Sequence, residues 1–435
     1  MNQTQVQQTP EWITEHGRIR EAAFAKAFLQ EHPMVCINRT FYTENGAMTD
    51  ETALQQAIYQ WIQPYSTASL PRRINSLVEV LRLEARKNRL PIQENLIHLA
   101  NGTFSLRNGF TPEKQICRYR LPVTYDLSLP APRVWLEFLE ELLEPEDIDT
   151  LQEYMGYCLV PSTRGQKMLT IVGNGGEGKS RIGVVMKAIF GGAMATGSLA
   201  KVEMSPFARA DLENLLVFVD DDLQMEALSQ TNHLKTIITA DTPMDLERKY
   251  AQSYQGQLHV RFLAFGNSAL HALHDKSNGF FRRQLILRAK PRREDRIDDP
   301  FLSRKLIKER DSIFLWALEG LYKLIANDFR FTVSYRSQQN LNQMIHDSNH
   351  LLSFLKSSRY ITFDCTAAAT SRELYDGYLS WCQENALSPI SARRFHQQLS
   401  DQQLDLGLSY SNNITTSRGT AARGYKGLRL NEINK

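Results

Sequence analysis

The peptide Met168-Leu-Thr-Ile-Val-Gly-Asn-Gly-Gly-Glu-Gly-Lys-Ser180 joins an apolar and β-branched run to a glycine-rich turn and a lysine–serine pair. Residues 168–172 predict a buried β-strand, because such runs suit a strand covered on both faces. Residues 181–190 carry apolar side chains at three- and four-residue spacing and predict a helix. The peptide therefore predicts a strand, a tight loop and a helix.

The loop matches the pattern GxxxxGK[ST] in the strand–loop–helix setting that this pattern requires. Glycines allow backbone N–H groups to converge on phosphate oxygens, and the following helix presents its N-terminus to negative charge. Lys179 would reach the β- and γ-phosphates and Ser180 would bind Mg²⁺, so ATP and Mg²⁺ are the expected cofactors. An idle glycine-rich turn is the alternative. The predicted nucleotide-binding residues are Gly173, Asn174, Gly175, Gly176, Glu177, Gly178, Lys179 and Ser180.

A second apolar strand, residues 215–219, ends in Asp220-Asp221-Asp222. ATP hydrolysis needs a carboxylate at the carboxyl end of a buried strand, and we expect that strand beside the one preceding the loop. We assign Asp220 to the metal and Asp221 to the attacking water, with Asp222 as the third choice. A solvated acidic turn is the alternative.

A third strand, residues 260–266, precedes Asn267, whose amide could hydrogen-bond both the γ-phosphate and the attacking water. Arg282 and Arg283 follow, between aromatic residues and a further apolar run. In ring ATPases such an arginine stabilises charge on the γ-phosphate of a neighbouring subunit. The sequence suggests no other cation for this role, so we expect the arginine to come from another subunit. Structural ion pairing, for example with Asp275, is the alternative.

Between the acidic residues and Asn267, residues 241–257 predict a β-hairpin with Arg248, Lys249 and Tyr250 near its tip. A cation beside an aromatic ring suits single-stranded DNA, since the charge binds phosphate and the ring stacks on a base. An ordinary exposed hairpin is the alternative.

These motifs, in this order, resemble motifs A, B, B′ and C of superfamily 3 helicases, and the chain is similar to the phage and plasmid primase–helicase family, which is related to poxvirus-type primase–helicases. Lys235 and Asp241 also stand where that family has a lysine and an aspartate before its hairpin. The likeness extends upstream to Ile97-His-Leu-Ala-Asn-Gly-Thr-Phe104 and Gln152-Glu-Tyr-Met-Gly-Tyr157, and covers roughly residues 90–430. It implies an α/β core of the AAA+ type that forms a hexameric ring and moves 3′ to 5′ on DNA. Many relatives carry a glutamate where this chain has three aspartates, which leaves the identity of the base open.

The C-terminal residues predict a helix at 371–384, a second helix at 392–399 and a basic β-hairpin, the elements of a winged-helix domain. The similar family also ends in a winged helix. An inert lid with solvated arginines is the alternative. The residues expected to contact duplex phosphates are Arg393, Arg394, Arg418, Arg423, Lys426 and Arg429.

The expected organisation has four segments. A helical N-terminal domain occupies residues 1–95, a collar specific to the family 96–160, the ATPase core 161–330 and the winged helix 345–435. Residues 334–349 are polar and predict a linker, and the acidic residues between 137 and 147 predict a solvated helix face and loop.

The composition fits a soluble globular protein, with 23% charged and 42% hydrophobic residues among 435. A net charge of +3 is too small to indicate a nucleic-acid partner by itself. The five cysteines are scattered without a CxxC pair, which argues against a zinc site or a disulfide framework. With no apparent signal peptide or membrane span, the expected location is the cytoplasm.

The function that these features favour is an ATP-dependent DNA helicase, acting on single-stranded and duplex DNA in the replication of a phage, plasmid or other mobile element. An origin-melting initiator or a DNA-packaging ATPase without processive unwinding is the main alternative. A DNA-binding replication regulator and a P-loop kinase are further alternatives. No primase-like segment precedes the motor in this sequence, so we expect a separate primase or replication initiator as partner.

Overall fold

The computed structural model describes residues 9–66, 68–223, 231–240, 242–248, 252–266, 278–293, 298–348, 350–385, 387, 389–403, 406–415 and 421–431. Contacts among these residues divide the chain into two compact units. The first unit holds the described residues up to Gln338, and the second holds those from Gln339 onward.

The first unit begins with a mostly helical segment built on an aromatic core. In chain order its elements are α1 (Glu21–Glu31), β1 (Val35–Ile37), β2 (Thr40–Thr43), β3 (Gly46–Ala47), α2 (Thr52–Ile62) and α3 (Leu70–Glu84). The ring of Trp61 contacts that of Phe28, with centroids 5.1 Å apart. Helix α1 follows a turn in which the N–H of Gly17 donates to the carbonyl of Thr14 and Gly17 adopts φ 69°.

A short antiparallel meander follows, as the turn signals at residues 101–102 and 108–109 predict. It consists of β4 (Leu96–Leu99), β5 (Gly102–Ser105) and β6 (Gly109–Thr111). Helices α4 (Arg133–Leu142) and α5 (Pro145–Cys158) come next. The carboxylate of Glu309 accepts hydrogen bonds from the backbone N–H groups of Val134 and Trp135, at 3.1 and 3.0 Å. A distant acidic residue thus satisfies donors that the first turn of α4 cannot pair internally.

The rest of the first unit alternates strands and helices, which confirms the α/β class. The elements are β7 (Met168–Val172), α6 (Ser180–Phe190), β8 (Met194–Thr196), α7 (Leu199–Met204), α8 (Pro206–Ala210), β9 (Val217–Asp220), α9 (Asn232–Thr239), β10 (Met244–Leu246), β11 (Tyr254–Gly256), β12 (Arg261–Gly266), α10 (Asn278–Phe281), β13 (Gln284–Arg288), α11 (Leu302–Lys308) and α12 (Arg310–Ala326).

Five of these strands form one parallel sheet in the order β13-β7-β12-β9-β8. Every residue of β7, β9 and β12 is buried, which agrees with their mostly apolar sequences and includes the charged Asp220 and Arg261. One expectation is wrong. The strand that ends in Asp220 does not lie beside β7, because β12 is inserted between them and pairs with both. Strand order depends on contacts between distant parts of the chain, which local sequence patterns do not encode.

Helices α5 and α12 pack so closely that their backbones nearly touch. A Cβ atom added to Gly156 would collide with backbone atoms of Ala317 and Leu321, and one added to Gly320 would collide with the backbone of Gln152. Helix α5 also corrects one sequence-based expectation. Asp147 is buried, because its carboxylate accepts a hydrogen bond at 2.5 Å from Ser334, whereas the other acidic residues from 137 to 146 are at least partly exposed as expected.

Helix α13 (Tyr335–Ser348) replaces the predicted linker, and the division between the units falls within it. The second unit continues with α14 (His350–Lys356), β14 (Ile361–Thr370), α15 (Ser371–Glu384), α16 (Ala392–Gln402), β15 (Ser409–Thr415) and β16 (Ala421–Leu430). The strands pair antiparallel in the order β14-β16-β15. The predicted pair β15–β16 is therefore present, and β14 is an additional strand.

A mutual hydrogen-bond pair defines the start of α15. The Thr370 side chain accepts a hydrogen bond from the Glu373 N–H, and the Glu373 carboxylate accepts one from the Thr370 N–H. Such a capping box satisfies two backbone donors at a helix start.

Of the five cysteines, Cys365 in β14 is exposed and the other four are buried. Within the described part of the chain, no helix has both the length and the apolar character needed to cross a membrane.

Candidate functional site

The loop between β7 and α6 has the backbone that its glycines predict. Gly175, Gly176 and Gly178 adopt φ values of 103°, 81° and 104°, a region that L side chains rarely occupy. Lys179 follows and is only 7% exposed. The loop lies at the carboxyl edge of the parallel sheet, where ligands of open α/β sheets bind.

Glu177 occupies the concavity of this loop. Its carboxylate accepts hydrogen bonds from the backbone N–H groups of Asn174 and Gly175, the latter at 2.9 Å, and from Lys179 Nζ at 2.7 Å. Burial by itself would raise the pKa of Glu177, but hydrogen bonds from Lys179 and the backbone hold that pKa below its usual value. The loop therefore binds an anionic group with two backbone donors and one lysine.

The three consecutive aspartates have different surroundings. Asp220 is the last residue of β9 and is buried, and its carboxylate accepts hydrogen bonds from the Leu199 N–H at 2.8 Å and the Asp222 N–H at 3.4 Å. Burial raises the pKa of Asp220. Asp221 and Asp222 are exposed and line the same cavity as Lys179 and Ser180. The structure thus brings Asp221 and Asp222 to this cavity, while Asp220 lines a second cavity together with them.

The cavity has a volume of about 610 Å³, within the range of small-molecule sites. Its wall includes residues that the sequence analysis missed, Arg181 and Arg292 among them. Arg292 pairs with Asp298 at 2.9 Å, and Arg181 donates to Ser303 Oγ at 2.5 Å. Arg181 and Arg292 are thus two cations of the same chain on the wall of this cavity. The rule that loops after parallel strands line ligand sites could have indicated Arg292, which follows β13.

The residues present fit a nucleotide with Mg²⁺. Mg²⁺ is usually held by one or two protein oxygens together with substrate phosphates and water, and not by an all-protein cage. Ser180, Asp221 and Asp222 offer such oxygens on the cavity wall. No cluster of three or more metal-binding side chains is found among the described residues. Gly266 of β12 also lines the cavity, while Asn267 lies outside the described residues.

The predicted hairpin exists as the pair β10–β11. Arg248 lies just after β10 and is paired with Glu213 at 2.5 Å, and its guanidinium lies 5.5 Å from the ring centroid of Tyr254. Tyr254 also donates its hydroxyl to Glu213, at 2.7 Å. Arg248 is therefore tied to the body of the first unit. Lys249, Tyr250 and Asp241 lie outside the described residues, and Lys235 lies in α9.

Arg282 and Arg283 lie at the opposite edge of the sheet from the loop. They precede β13, whose register pairs Gln284 with Met168 at the start of β7. The five residues of β13 span roughly 16 Å, so neither arginine is near its own loop. The side chain of Lys167 contacts the backbone of Arg282. Burial together with the charge of Arg283 lowers the pKa of Lys167. Asp275, the alternative ion-pair partner, lies outside the described residues.

In the second unit, several of the basic residues expected to contact DNA are exposed. Lys426 and Arg429 of β16 are exposed, while Tyr425 and Leu428 between and beside them are buried in the core. Arg423 and Arg393 are exposed as well. Only the backbone of Arg394 is described, and Arg418 lies outside the described residues.

None of the curated proteins compared with this chain matches it. A family described as "Family of unknown function (DUF5906)" matches residues 171–283, which include the loop, the aspartates and both arginines. An apo structure of the NrS-1 C-terminal region is similar over 94% of this chain and 99% of that one, with 13% identity and a TM-score of 0.58. An A-form apo structure of the same region has 12% identity over the same shares and a TM-score of 0.55. These structures share the fold of the chain over nearly its whole length.

Proposed function

We propose that this chain is an ATP-dependent DNA helicase of the superfamily 3, AAA+ type, acting in the replication of a phage, plasmid or other mobile element. One observation carries the proposal. A loop that holds an anionic group with backbone N–H groups and Lys179 faces Asp221 and Asp222 across one cavity. An anion site opposite a pair of carboxylates is the arrangement that hydrolysis of a nucleoside triphosphate needs.

The chain's own side chains have separate tasks in this mechanism. Lys179 would neutralise charge on the β- and γ-phosphates, and Ser180 would hold Mg²⁺ together with an aspartate of the 220–222 group. Mg²⁺ supplies charge neutralisation across the phosphate oxygens when bound. Asp221 orients the attacking water and accepts its proton, with Asp222 as the other candidate. Arg181 and Arg292 add positive charge to the cavity wall.

An arginine that stabilises charge on the γ-phosphate comes, in this proposal, from a neighbouring subunit. Arg282 and Arg283 lie at the sheet edge opposite the loop, so they can serve an ATP site only in a second copy of the chain. A ring of identical subunits, a hexamer by resemblance, would place one subunit's arginines against the next subunit's cavity. This geometry supports the proposed ring.

The second unit is proposed to bind duplex DNA as a winged helix. Helices α15 and α16 followed by the antiparallel pair β15–β16 agree with that architecture. The exposed cations Arg393, Lys426 and Arg429 supply the charge that phosphate binding requires.

Strand displacement tests the function directly. The full-length protein with ATP and Mg²⁺ should separate a duplex carrying a 3′ single-stranded tail and leave a 5′-tailed duplex intact. The Lys179→Ala variant, which removes the phosphate-binding cation, should separate neither duplex. Hydrolysis stimulated by DNA without displacement of either substrate would contradict the helicase proposal.

A second candidate, a DNA-melting or DNA-packaging ATPase without processive unwinding, is favoured by one observation. Arg248 is held by Glu213 and Tyr254, so its guanidinium is not available to a passing strand in this conformation. Melting of an origin duplex without displacement of a tailed strand would select the initiator, and ATP-driven filling of a closed particle would select the packaging motor.

A further inference from the structure

The Glu177 carboxylate has the contacts that a nucleotide phosphate would make in this loop. Two consecutive backbone N–H groups, those of Asn174 and Gly175, donate to it, and Lys179 Nζ lies 2.7 Å from its Oε2. We propose that Glu177 is an internal occupant of the phosphate position, which a nucleotide must displace in order to bind. The inference rests on the proposed ATP site and identifies the residue that sets its affinity.

The geometry of the loop implies that the Glu177 carboxylate and a nucleotide phosphate compete for the same donors. Glu177 is 2% exposed, so its carboxylate fills the concavity and does not rest at its rim. A Cβ added to Gly173 would lie 2.8 Å from both Glu177 Oε1 and Lys179 Nζ, which shows how tightly the pair fills the space beside the loop. A phosphate cannot enter the same set of donors while the carboxylate remains, because two anions would share one lysine and the same N–H groups.

Displacement is nevertheless possible. The adjoining cavity of about 610 Å³ is lined by Glu177 itself and by Arg181 and Arg292. A carboxylate leaving the loop can therefore move toward solvent or toward these cations. Ligands with several phosphate charges should displace it better than a monophosphate, since a single carboxylate carries one charge and a polyphosphate carries more.

Only molecules with an open loop can bind a nucleotide. The apparent affinity is therefore the intrinsic affinity multiplied by the fraction of molecules in which the loop is open. If occupant and nucleotide exclude each other, removing the occupant accelerates association and leaves dissociation unchanged. A residue that contacts the nucleotide directly would instead alter dissociation when it is replaced. The two rate constants therefore separate an internal competitor from an ordinary contact.

The test measures binding of a fluorescent ATP analogue to the full-length protein by stopped flow and at equilibrium. Glu177→Gln, which removes the charge, and Glu177→Ala, which removes the occupant, should bind on the order of 10- to 100-fold more tightly, as expected for loss of charge-assisted hydrogen bonds. The gain should lie in the association rate. Glu137→Gln, at an exposed residue paired with Arg133, is the matched control and should bind like the wild type.

The outcomes separate this inference from the proposed function. Unchanged or weaker binding by both Glu177 variants, with Lys179→Ala still abolishing binding, would overturn the internal occupant and leave the ATP site standing. Absence of binding by the wild type and by both Glu177 variants, to the ATP analogue and to inorganic pyrophosphate, would overturn both. Circular dichroism and thermal unfolding of each variant verify that the loop substitutions leave the fold intact.

Discussion

Residues of the same chemical type have different roles when their surroundings differ. Asp220 and Asp221 are adjacent in the sequence, yet Asp220 is buried and its carboxylate accepts backbone hydrogen bonds, while Asp221 is exposed and lines the same cavity as Lys179. The Asp220 carboxylate already accepts one backbone hydrogen bond on each of its oxygens, from the Leu199 and Asp222 N–H groups. Asp221 and Asp222 are both exposed on the cavity wall, so Asp222 is a candidate beside Asp221.

The Asp221→Asn variant should retain ATP binding and lose turnover by about 10²–10⁴-fold, since an amide cannot accept the proton of the attacking water. Steady-state hydrolysis and equilibrium binding of an ATP analogue measure the two effects separately. Asp149→Asn, at an exposed residue paired with Lys323, is the control and should change neither. Wild-type turnover in Asp221→Asn together with loss of turnover in Asp222→Asn would show that Asp222, and not Asp221, accepts the proton of the attacking water.

At the level of elements, the close contact between α5 and α12 can be tested by the addition of a single methyl group. Gly156→Ala should lower the free energy of unfolding by about 1–3 kcal/mol, because the added Cβ meets the backbone of α12 and the helices must separate. Gly192→Ala is the control, since a Cβ there would have no neighbour within 4 Å. Equal melting temperatures for the two variants would show that the helices separate at little cost.

For the sheet of the second unit, we predict how DNA binding depends on salt concentration. In the full-length protein, Lys426→Gln and Arg423→Gln should each weaken duplex DNA binding and reduce the slope of log K against log salt by about 0.9. Arg359→Gln alters an exposed arginine of the same unit that is paired with Glu384, and it should leave the slope unchanged. Anisotropy titrations at several salt concentrations measure these slopes. Slopes that match the wild type in all three variants would remove the second unit from the DNA-binding surface.

The elements also show what sequence patterns can and cannot predict. Strand β7 and helix α15 have the predicted bounds, because apolar runs and helical periodicity are local properties. The position of β12 between β7 and β9, the burial of Asp147 and the presence of β14 depend on distant segments and were not predicted. At the site, the loop pattern predicted the strand, the glycine-rich turn and the helix, but the contact of Glu177 with Lys179 inside the loop was not predicted.

For the whole molecule, the separation of Arg283 from its own loop has a consequence for assembly. Lys179→Ala and the double variant Arg282→Ala/Arg283→Ala should each be inactive, since loss of an arginine finger costs about 10³–10⁵ in turnover. Mixed at different ratios, the two should recover a minority of the ATPase rate, because some interfaces then join an intact loop to intact arginines.

Light scattering provides the control for this experiment, since a variant that never assembles would also be inactive. Recovery is expected only in samples whose mass shows exchanged, assembled subunits. Assembled mixtures without recovery at any ratio, or full hydrolysis by the isolated monomer, would contradict an arginine supplied by the neighbour.

The uneven exposure of the cysteines provides a way to label the molecule. Burial raises the pKa of Cys117 to about 11 and that of Cys158 to about 12, which keeps these thiols protonated at neutral pH. Maleimides react with thiolates, so the native protein should take up a single dye at exposed Cys365 and the unfolded protein up to five. The dye would then sit on β14 of the second unit, where its emission could follow DNA capture in real time without any engineered substitution.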